Sequence, residues 1–190
     1  QQFDGEIVSA DSRQVYRHMD IGTAKPDRQE LSLVPHYLID IINPDQDFNL
    51  AQYQQLAYQR VDDIQQRGRL PLLTGGSGLY VWAVLEGWGI PRVPPDAEFR
   101  RHLEDRAASG GAEELYQELQ RVDPKAAQNI DRHNVRRLIR ALEVNEYAEA
   151  SFSELQCKQA PPFDFLVIGL TMDRAELYRR IDLRVDWMIE

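Results

Sequence analysis

The sequence predicts an α/β fold in which a parallel sheet flanked by helices carries an inserted all-helical lobe. Apolar runs alternate with helical patterns up to about residue 85, as in a parallel sheet with crossover helices. A cluster of prolines then ends this alternation, and residues 96–156 show helical patterns only. An apolar strand pattern returns at residues 163–171. We therefore assign residues 1–95 and 163–190 to the α/β core and residues 96–162 to the lobe.

Apolar spacing and end signals predict the individual elements. The predicted strands are residues 7–8, 36–42, 70–74 and 163–171, and the predicted helices are residues 50–67, 79–85, 97–108, 112–122, 135–147 and 173–190. Asn49 and Gln52 form a capping-box pattern at the start of the first of these helices, and Gly68 ends it. Asp173 and Glu176 have the same spacing at the start of the last helix, which has no stop signal before Glu190.

Composition restricts the classes of function. The 190 residues are 43% hydrophobic, which is enough for a core, and no apolar run approaches the roughly 18 residues that cross a membrane. The net charge of −9 argues against a protein that coats nucleic acid non-specifically. The lone cysteine, Cys157, excludes an internal disulfide and a cysteine zinc cluster, and the four histidines show no metal spacing. We expect a soluble, cytoplasmic protein without a resident metal site.

The run from Glu6 to Pro26 is the richest in chemically capable side chains. Asp11 follows the first strand directly, at the edge of a parallel sheet where ligands bind. A carboxylate there can accept a proton, but an Asp after a strand is also often a helix N-cap. The polar side chains that follow within this run, Ser12, Arg13, Tyr16 and Lys25, favour a site.

A glycine-rich turn, residues 75–78, joins the third strand to the next helix. Its backbone N–H groups can face a phosphate or an RNA backbone at the positive end of that helix. The alternative is a tight turn that needs positive φ. The turn is not a P-loop, because the phosphate-binding lysine is absent.

Two sets of arginines are spaced by four residues. Arg132, Arg136 and Arg140 would share one face if the chain were helical through all three, and this row either contacts RNA phosphate or is a solvated face. On the last helix, Arg180 and Arg184 either reach a bound diphosphate or form ion pairs with acidic residues of that helix.

Six segments of the chain carry a family resemblance: SADSRQVY (9–16), MDIGTAKP (19–26), PHYLID (35–40), LTGGSGLY (73–80), RLIRALEV (137–144) and RIDLRVD (180–186). In this order they resemble the tRNA dimethylallyltransferase family, also called tRNA isopentenyltransferase. The resemblance implies a P-loop-type core, and a lobe that grips the tRNA anticodon stem-loop. The implied reaction moves a dimethylallyl group from dimethylallyl diphosphate to the exocyclic amine of the adenosine next to the anticodon, and releases diphosphate. Mg²⁺ would bridge the diphosphate oxygens, no membrane is involved, and a monomer is expected.

The resemblance also implies roles for single residues. Asp11 would be the general base that takes the amine proton, and Ser77, where the family more usually has Thr, would be the second catalytic residue. The implied tRNA contacts are Asp11, Ser12, Arg13, Gln14, Ser77, Arg100, Arg136, Arg137, Leu138, Ile139 and Arg140. The implied diphosphate contacts are Lys25, Arg180 and Arg184.

The chain departs from the family pattern at three places. The family's phosphate-binding loop should precede Glu6 and is missing, as are the later tRNA-contacting helices beyond Glu190. Residues 148–151 read Ala-Glu-Ala-Ser, where the family commonly has a Thr-Gly-basic-Pro turn. Because the chain begins at a strand and ends inside a helical pattern, we expect a fragment. Without the phosphate-binding loop the donor diphosphate loses most of its binding energy, so we expect this fragment to be inactive alone.

Three other functions stay open at this point. An isopentenyltransferase acting on free adenine nucleotides would share the core but need the arginine-bearing lobe less. A P-loop kinase of small molecules would transfer phosphoryl groups without RNA. A noncatalytic RNA-binding module would bind an anticodon stem-loop whether or not Asp11 is present.

Overall fold

The structure, a computed structural model, describes residues 3–189. Glu190, the predicted end of the last helix, lies outside the described residues. The strands are β1 (Gly5–Ser9), β2 (His36–Tyr37) and β3 (Leu70–Thr74). The helices of the described residues are α1 (Arg28–Leu33), α2 (Leu50–Gln66), α3 (Gly78–Leu85), α4 (Ala97–Arg106), α5 (Ala112–Val122), α6 (Pro124–Asn129), α7 (Val135–Tyr147), α8 (Phe152–Leu155) and α9 (Arg174–Ile189), with a π-helical turn at Ala107–Gly111.

The chain divides into two compact units. One contains the sheet and consists of the residues up to Gly87 and from Ala160 onward; the other, Trp88–Gln159, contains the helices α4 to α8. The predicted boundaries lay at 95–96 and 162–163, and the division in the structure falls at 87–88 and 159–160. The predicted fold class, a parallel sheet flanked by helices with an all-helical insertion, is confirmed. The tRNA-binding role of the lobe stays a prediction.

The sheet has the strand order β2-β1-β3, and both pairings are parallel. β1 is the central strand, which explains why Val8 is fully buried. Helix α2 covers the sheet with side chains repeating every three or four residues, namely Tyr53, Ala57, Val61 and Ile64. The predicted capping box between Asn49 and Gln52 is present at its start, so this helix is confirmed.

The strand predicted at residues 36–42 is wrong in its length, because only His36–Tyr37 pairs as a strand. Leu38 and Asp40 have φ values of 63° and 54°, which turn the backbone out of the pleated sheet. The following residues bond instead to the loop after β1, through Asp40 N–H to Gln14 O at 3.0 Å and Ile41 N–H to Val15 O at 2.9 Å. The apolar segment therefore holds that loop in place.

The strand predicted at residues 163–171 is also wrong. The segment has no regular secondary structure, and Leu166 and Leu170 are 84% and 94% exposed. A strand needs a neighbour that supplies ladder hydrogen bonds, and no described residue pairs with this segment. The alternation of apolar residues is therefore typical of a strand, but the described residues supply no partner strand for it.

The helical unit confirms three predicted helices and adds two short ones. Its core is built by residues that the four helices α4 to α7 turn inward, among them Leu103, Leu115, Leu119, Leu138 and Leu142. The first predicted helix, 97–108, ends at Arg106 because the π-helical turn follows, with Gly110 at φ 95°. The sequence analysis missed α6, although Asp123 as N-cap and Pro124 at the first position are typical start signals.

The last helix, α9, begins after its predicted N-cap, Asp173, but no described bond from Glu176 closes the predicted capping box. The Asp173 carboxylate accepts hydrogen bonds from the N–H groups of Ala175 and Glu176. The Glu176 carboxylate pairs with Arg179 and Arg180. Across the described residues, the helices are all too short or too polar to span a membrane.

Candidate functional site

The loops after β1 and β3 are tied together at one edge of the sheet. Ala10 N–H donates to Thr74 O at 2.7 Å, and Ser77 N–H donates to Ala10 O at 3.0 Å. The Ser77 hydroxyl accepts a hydrogen bond from Ser12 N–H at 2.8 Å. Two segments 65 residues apart in sequence therefore form one surface, where parallel sheets present their ligand sites.

The turn after β3 needs glycine at position 75 because of close packing and not because of its φ angle. A Cβ atom at Gly75 would lie 2.3 Å from the carbonyl carbon and oxygen of Ala10, and its φ is not in the left-handed region. The alternative that the sequence left open, a turn requiring positive φ, is therefore wrong for this glycine. Glycine lets the two loops touch backbone to backbone.

Asp11 occupies the middle of this surface. Its Oδ1 accepts hydrogen bonds from Arg13 N–H at 2.8 Å and Gln14 N–H at 3.3 Å. Residues 12–15 form turns, so Asp11 caps a turn and not a helix. Its Oδ2 has no hydrogen-bond partner among residues 3–189 and lies 4.0 Å from a Cβ built on Gly76. One oxygen therefore fixes the carboxylate, and the other is open.

Tyr80 lies beside Asp11 and was not singled out by the sequence analysis. Its ring stacks on Tyr53 at a centroid distance of 3.8 Å, and the Tyr53 hydroxyl is bonded to Ser9 O. Burial, and then the neighbouring Tyr16 and Asp11, raise the pKa of Tyr80, so its hydroxyl stays protonated at neutral pH. Its position three residues after Ser77, on the first turn of α3, was the signal that could have found it.

Gln14 organises this surface with its whole side chain. Its Oε1 accepts from the Ser9 hydroxyl at 3.0 Å, and its Nε2 donates to the carbonyls of Thr23 and Ala24. The residues 19–24 are thereby held against the end of β1. Arg13, its neighbour, is exposed, and no described residue forms an ion pair with it.

The side chain of Lys25 is 7% exposed and has three oxygen partners. Its ammonium donates to Tyr16 O at 2.7 Å, Asp20 Oδ1 at 2.8 Å and Asp40 Oδ1 at 2.6 Å. Burial by itself would lower the pKa of Lys25, but the hydrogen bonds to Asp20 and Asp40 outweigh it and raise the pKa. Lys25 thus fastens the loop after β1, and its predicted diphosphate contact needs one of these partners to leave.

The two arginines predicted to bind diphosphate differ. Arg180 donates to Glu176 at 2.8 Å, which is the ion-pair alternative that the sequence left open. No described residue pairs with the guanidinium of Arg184, which is exposed on α9. Arg184 is therefore the cation of this pair that is ready to bind an anion.

The helical unit contains an arginine-lined groove of about 560 Å³. It is lined by Arg100, Glu104, Val135, Arg136, Ile139 and Arg140. The guanidinium groups of Arg136 and Arg137 are exposed and have no described partner. Leu138 and Ile139, both predicted tRNA contacts, are 0% and 3% exposed and belong to the core, so their side chains position the helix.

Glu143 is the buried anion of this groove and was missed by the sequence analysis. It accepts hydrogen bonds from Arg100, from Arg140 and from Asp96 N–H. Burial would raise the pKa of Glu143, but its donors, Arg100 first, lower it overall. Its spacing of three residues from Arg140 was the available signal.

The described residues include no group of three or more His, Cys, Asp or Glu side chains that could hold a metal ion. Mg²⁺ that arrives with a diphosphate does not need such a group, because one or two carboxylates together with phosphate oxygens are enough to hold it.

The architecture is that of a P-loop-type α/β core with an inserted helical lobe. The family model described as IPP transferase matches residues 14–190, and the chain belongs to the IPP transferase family. Among curated proteins it is 52% identical over 184 residues to a tRNA dimethylallyltransferase of Dehalococcoides mccartyi, covering 97% of this chain and 57% of that protein. It is 54% identical over 189 residues to one of Roseiflexus sp., covering 100% and 62%. The chain thus spans about three fifths of the length of these relatives.

Solved structures agree with this family. A tRNA isopentenylpyrophosphate transferase of Bacillus halodurans superposes with a TM-score of 0.61 at 44% identity, covering 99% of this chain and 58% of that one. A eukaryotic dimethylallyltransferase acting on tRNA gives a TM-score of 0.79 at 27% identity, covering 100% and 47%. The family resemblance found in the sequence is therefore confirmed.

Proposed function

We propose that the protein containing this chain transfers a dimethylallyl group from dimethylallyl diphosphate to the exocyclic amine of the adenosine next to the anticodon in tRNA, releasing diphosphate. The observation that carries this proposal is the Asp11 carboxylate, with one oxygen fixed by backbone N–H groups and the other open at the edge of a parallel sheet. The names of the relatives, all tRNA dimethylallyltransferases, support the same reaction.

Asp11 Oδ2 acts as the general base. The exocyclic amine of adenine is a poor nucleophile until a proton acceptor is at hand. As the amine nitrogen bonds to the allylic carbon, the bond from that carbon to the diphosphate oxygen breaks, and the amine proton passes to Asp11. The bond electrons leave with diphosphate, so charge and protons balance.

The bonds around Asp11 position the acceptor base. Ser77 holds the loop after β1 through Ser12 N–H, and its own hydroxyl hydrogen remains able to donate to RNA or diphosphate. Arg13 offers a free guanidinium next to the base. Gln14 acts through the loop that it holds, since all its polar atoms are engaged.

The diphosphate is held by cations of the α/β unit. Arg184 is the best of the three candidates because no described residue pairs with it, whereas Arg180 shares Glu176 and Lys25 is enclosed by three oxygens. Magnesium would enter with the diphosphate and neutralise its oxygens, as it does for other diphosphates. We further propose that the protein is a cytoplasmic monomer.

The anticodon stem-loop binds to the helical unit, at the groove that contains Arg100, Arg136 and Arg140. Arg136 and Arg137, exposed and without described ion pairs, supply phosphate contacts. The net charge of −9 keeps non-specific binding of nucleic acid weak, so the local arginines carry the interaction.

One assay tests the proposal against its rivals. The full-length protein is given labelled dimethylallyl diphosphate and Mg²⁺, with tRNA, adenine nucleotides or small hydroxylated metabolites as acceptors. A parallel reaction contains ATP and the metabolites, and binding of the anticodon stem-loop is measured on the same protein. We expect label in tRNA alone. Label in free nucleotide would indicate the nucleotide-specific enzyme, phosphoryl transfer from ATP to a metabolite would indicate a kinase, and stem-loop binding without transfer would indicate a binding module.

A further inference from the structure

We propose that Glu143 is a positioning residue that sets the RNA selectivity of the helical unit, because it fixes two groove arginines and cancels one of their charges. The proposal rests on the proposed binding of the anticodon stem-loop to this groove. Glu143 itself is 0% exposed, so it acts through the arginines and does not touch RNA.

All the acceptor capacity of Glu143 is used within the unit. Its Oε1 accepts from Arg100 Nε at 2.8 Å and from Asp96 N–H at 2.8 Å. Its Oε2 accepts from Arg100 Nη2 and from Arg140 Nη1, both at 2.6 Å. A carboxylate offers about four such positions, and each is filled.

These bonds fix the direction of both guanidinium groups. Arg100 is held by a two-pronged contact, which sets the plane of its guanidinium. Arg140 is held from its other side as well, since its Nη2 donates to the carbonyls of Pro91 and Val93 at 3.1 and 3.0 Å. The two side chains stay 36% and 30% exposed, and both line the groove.

The charge of the groove is moderated in the same way. Arg100, Arg136 and Arg140 carry three positive charges along it, and Glu104 and Glu143 carry two negative ones. Non-specific RNA binding grows with the number of phosphates that mobile cations neutralise. Arginine side chains that are fixed in one orientation before binding instead favour RNA whose phosphates match that arrangement.

The test is Glu143→Gln in the full-length protein. Dissociation constants are measured at one salt concentration for the anticodon stem-loop and for oligouridine of equal length. We expect stem-loop affinity to fall about tenfold, equivalent to about 1.4 kcal/mol, and oligouridine affinity to stay equal or rise. The preference for the stem-loop over oligouridine should therefore fall at least tenfold.

Asp123→Asn is the matched control. Asp123 is also a buried carboxylate of the helical unit, 3% exposed; it accepts from the backbone N–H groups of Ala126 and Ser153, and no described arginine bonds to it. This variant should lower the thermal midpoint and keep the preference. A merely structural role of Glu143 predicts the same pattern for both variants.

Arg100→Lys keeps the test decisive if Glu143→Gln does not fold. Lysine keeps the positive charge but cannot make the two-pronged contact, so the preference should fall while oligouridine affinity stays the same. A preference unchanged in the folded variants would overturn the role of Glu143 and leave the proposed function standing. A wild-type protein without any preference for the stem-loop would overturn both.

Discussion

Asp11 in the α/β unit and Glu143 in the helical unit are both carboxylates at sites with exposed arginines, yet their surroundings are opposite. Asp11 receives two backbone hydrogen bonds on one oxygen and has an open second oxygen. Glu143 receives four hydrogen bonds, three of them from arginines. The number of donors separates a carboxylate that can take a proton from one that can only hold its neighbours.

The two elements that carry these residues explain the difference. Asp11 lies on a loop after a strand, and its described hydrogen bonds come from N–H groups of its own turn. Glu143 lies on α7, packed in the unit, where burial without donors would be costly. Loops positioned by a rigid sheet therefore leave side-chain atoms open for chemistry, while helices in a core do not.

The largest effect is expected for Asp11→Asn. Asparagine keeps an oxygen that accepts from Arg13 and Gln14, but its amide cannot take a proton. Single-turnover transfer to tRNA should fall by about 10² to 10⁴, the range attributed to a general base. The stem-loop dissociation constant and the thermal midpoint should stay at the wild-type values. A transfer rate within about threefold of wild type, a change of only about 0.7 kcal/mol in the barrier, would remove Asp11 from its role.

Gly75→Ala should have the next largest effect, because a Cβ atom would collide with the Ala10 backbone at 2.3 Å. We expect a loss of about 1 to 3 kcal/mol in stability, as for overpacked sites, and slower transfer, since the loop that carries Asp11 must move. Thermal unfolding and single-turnover transfer check this.

Gly78→Ala is the control for that experiment, because nothing lies within 4 Å of a Cβ atom there. It stands at the start of α3, where alanine is well tolerated. If both alanine variants were equally stable and equally active, the close approach of the two loops would not matter for the site.

Ser77→Ala should cost less, about 1 kcal/mol, because it removes one hydrogen bond to Ser12 N–H. Transfer should fall as the loop after β1 loosens. Ser77→Thr keeps the hydroxyl and should retain most of the transfer rate, so the pair of variants separates the hydroxyl from the size of the side chain. Equal transfer rates in Ser77→Ala and Ser77→Thr would show that the hydrogen bond from Ser12 N–H to the hydroxyl does not matter for transfer.

Glu6 is a third carboxylate for the comparison. It is 1% exposed and accepts from Arg67, Arg69 and Tyr37. The hydrogen bond from Arg67 is the main reason why its pKa falls from 4.5 to about 2. Because the folded state has the lower pKa, Glu6 stabilises the fold fully above about pH 5 and loses this contribution as the pH falls towards 2.

Glu6→Gln should therefore be less stable than wild type at pH 7, and the difference should shrink between pH 5 and pH 2. Thermal midpoints across this range measure it. Asp164→Asn, at an exposed position, is the control and should follow wild type throughout. A deficit of Glu6→Gln that is the same at pH 2.5 and pH 7 would contradict the proposed ion-pair contribution.

The sequence predicted those elements whose signals are local. The capping box at Asn49 and the apolar period of α2 are both in the structure. Residues 36–42 were extended too far because nothing in the residue type of Leu38 signals its left-handed φ, although Asp, as at position 40, adopts that region more often than most residues. Residues 163–171 fail as a strand because apolar alternation does not tell whether a partner strand is present.

The site was predictable as a set of residue types and not as a geometry. Asp11 and Ser77 could be named from their places after two strands, but their link through Ser12 N–H needs the sheet register. Arg140 was predicted to contact RNA as part of a row of arginines without an acidic residue between them. In the structure it has three described partners, Glu143 and two carbonyls. Which residues form hydrogen bonds and ion pairs across a helical unit depends on how its helices pack, and the helical period of the sequence does not reveal that packing.

The most direct test compares Asp11→Asn and Glu143→Gln in one assay: single-turnover dimethylallyl transfer at saturating tRNA, with stem-loop affinity measured on the same preparations. The account predicts that Asp11→Asn binds as wild type and transfers at least about 10²-fold more slowly. Glu143→Gln should bind the stem-loop more weakly but transfer at the wild-type rate once saturated. Loss of binding and of transfer in the same proportion in both variants would contradict the division between an open carboxylate that reacts and a saturated one that positions.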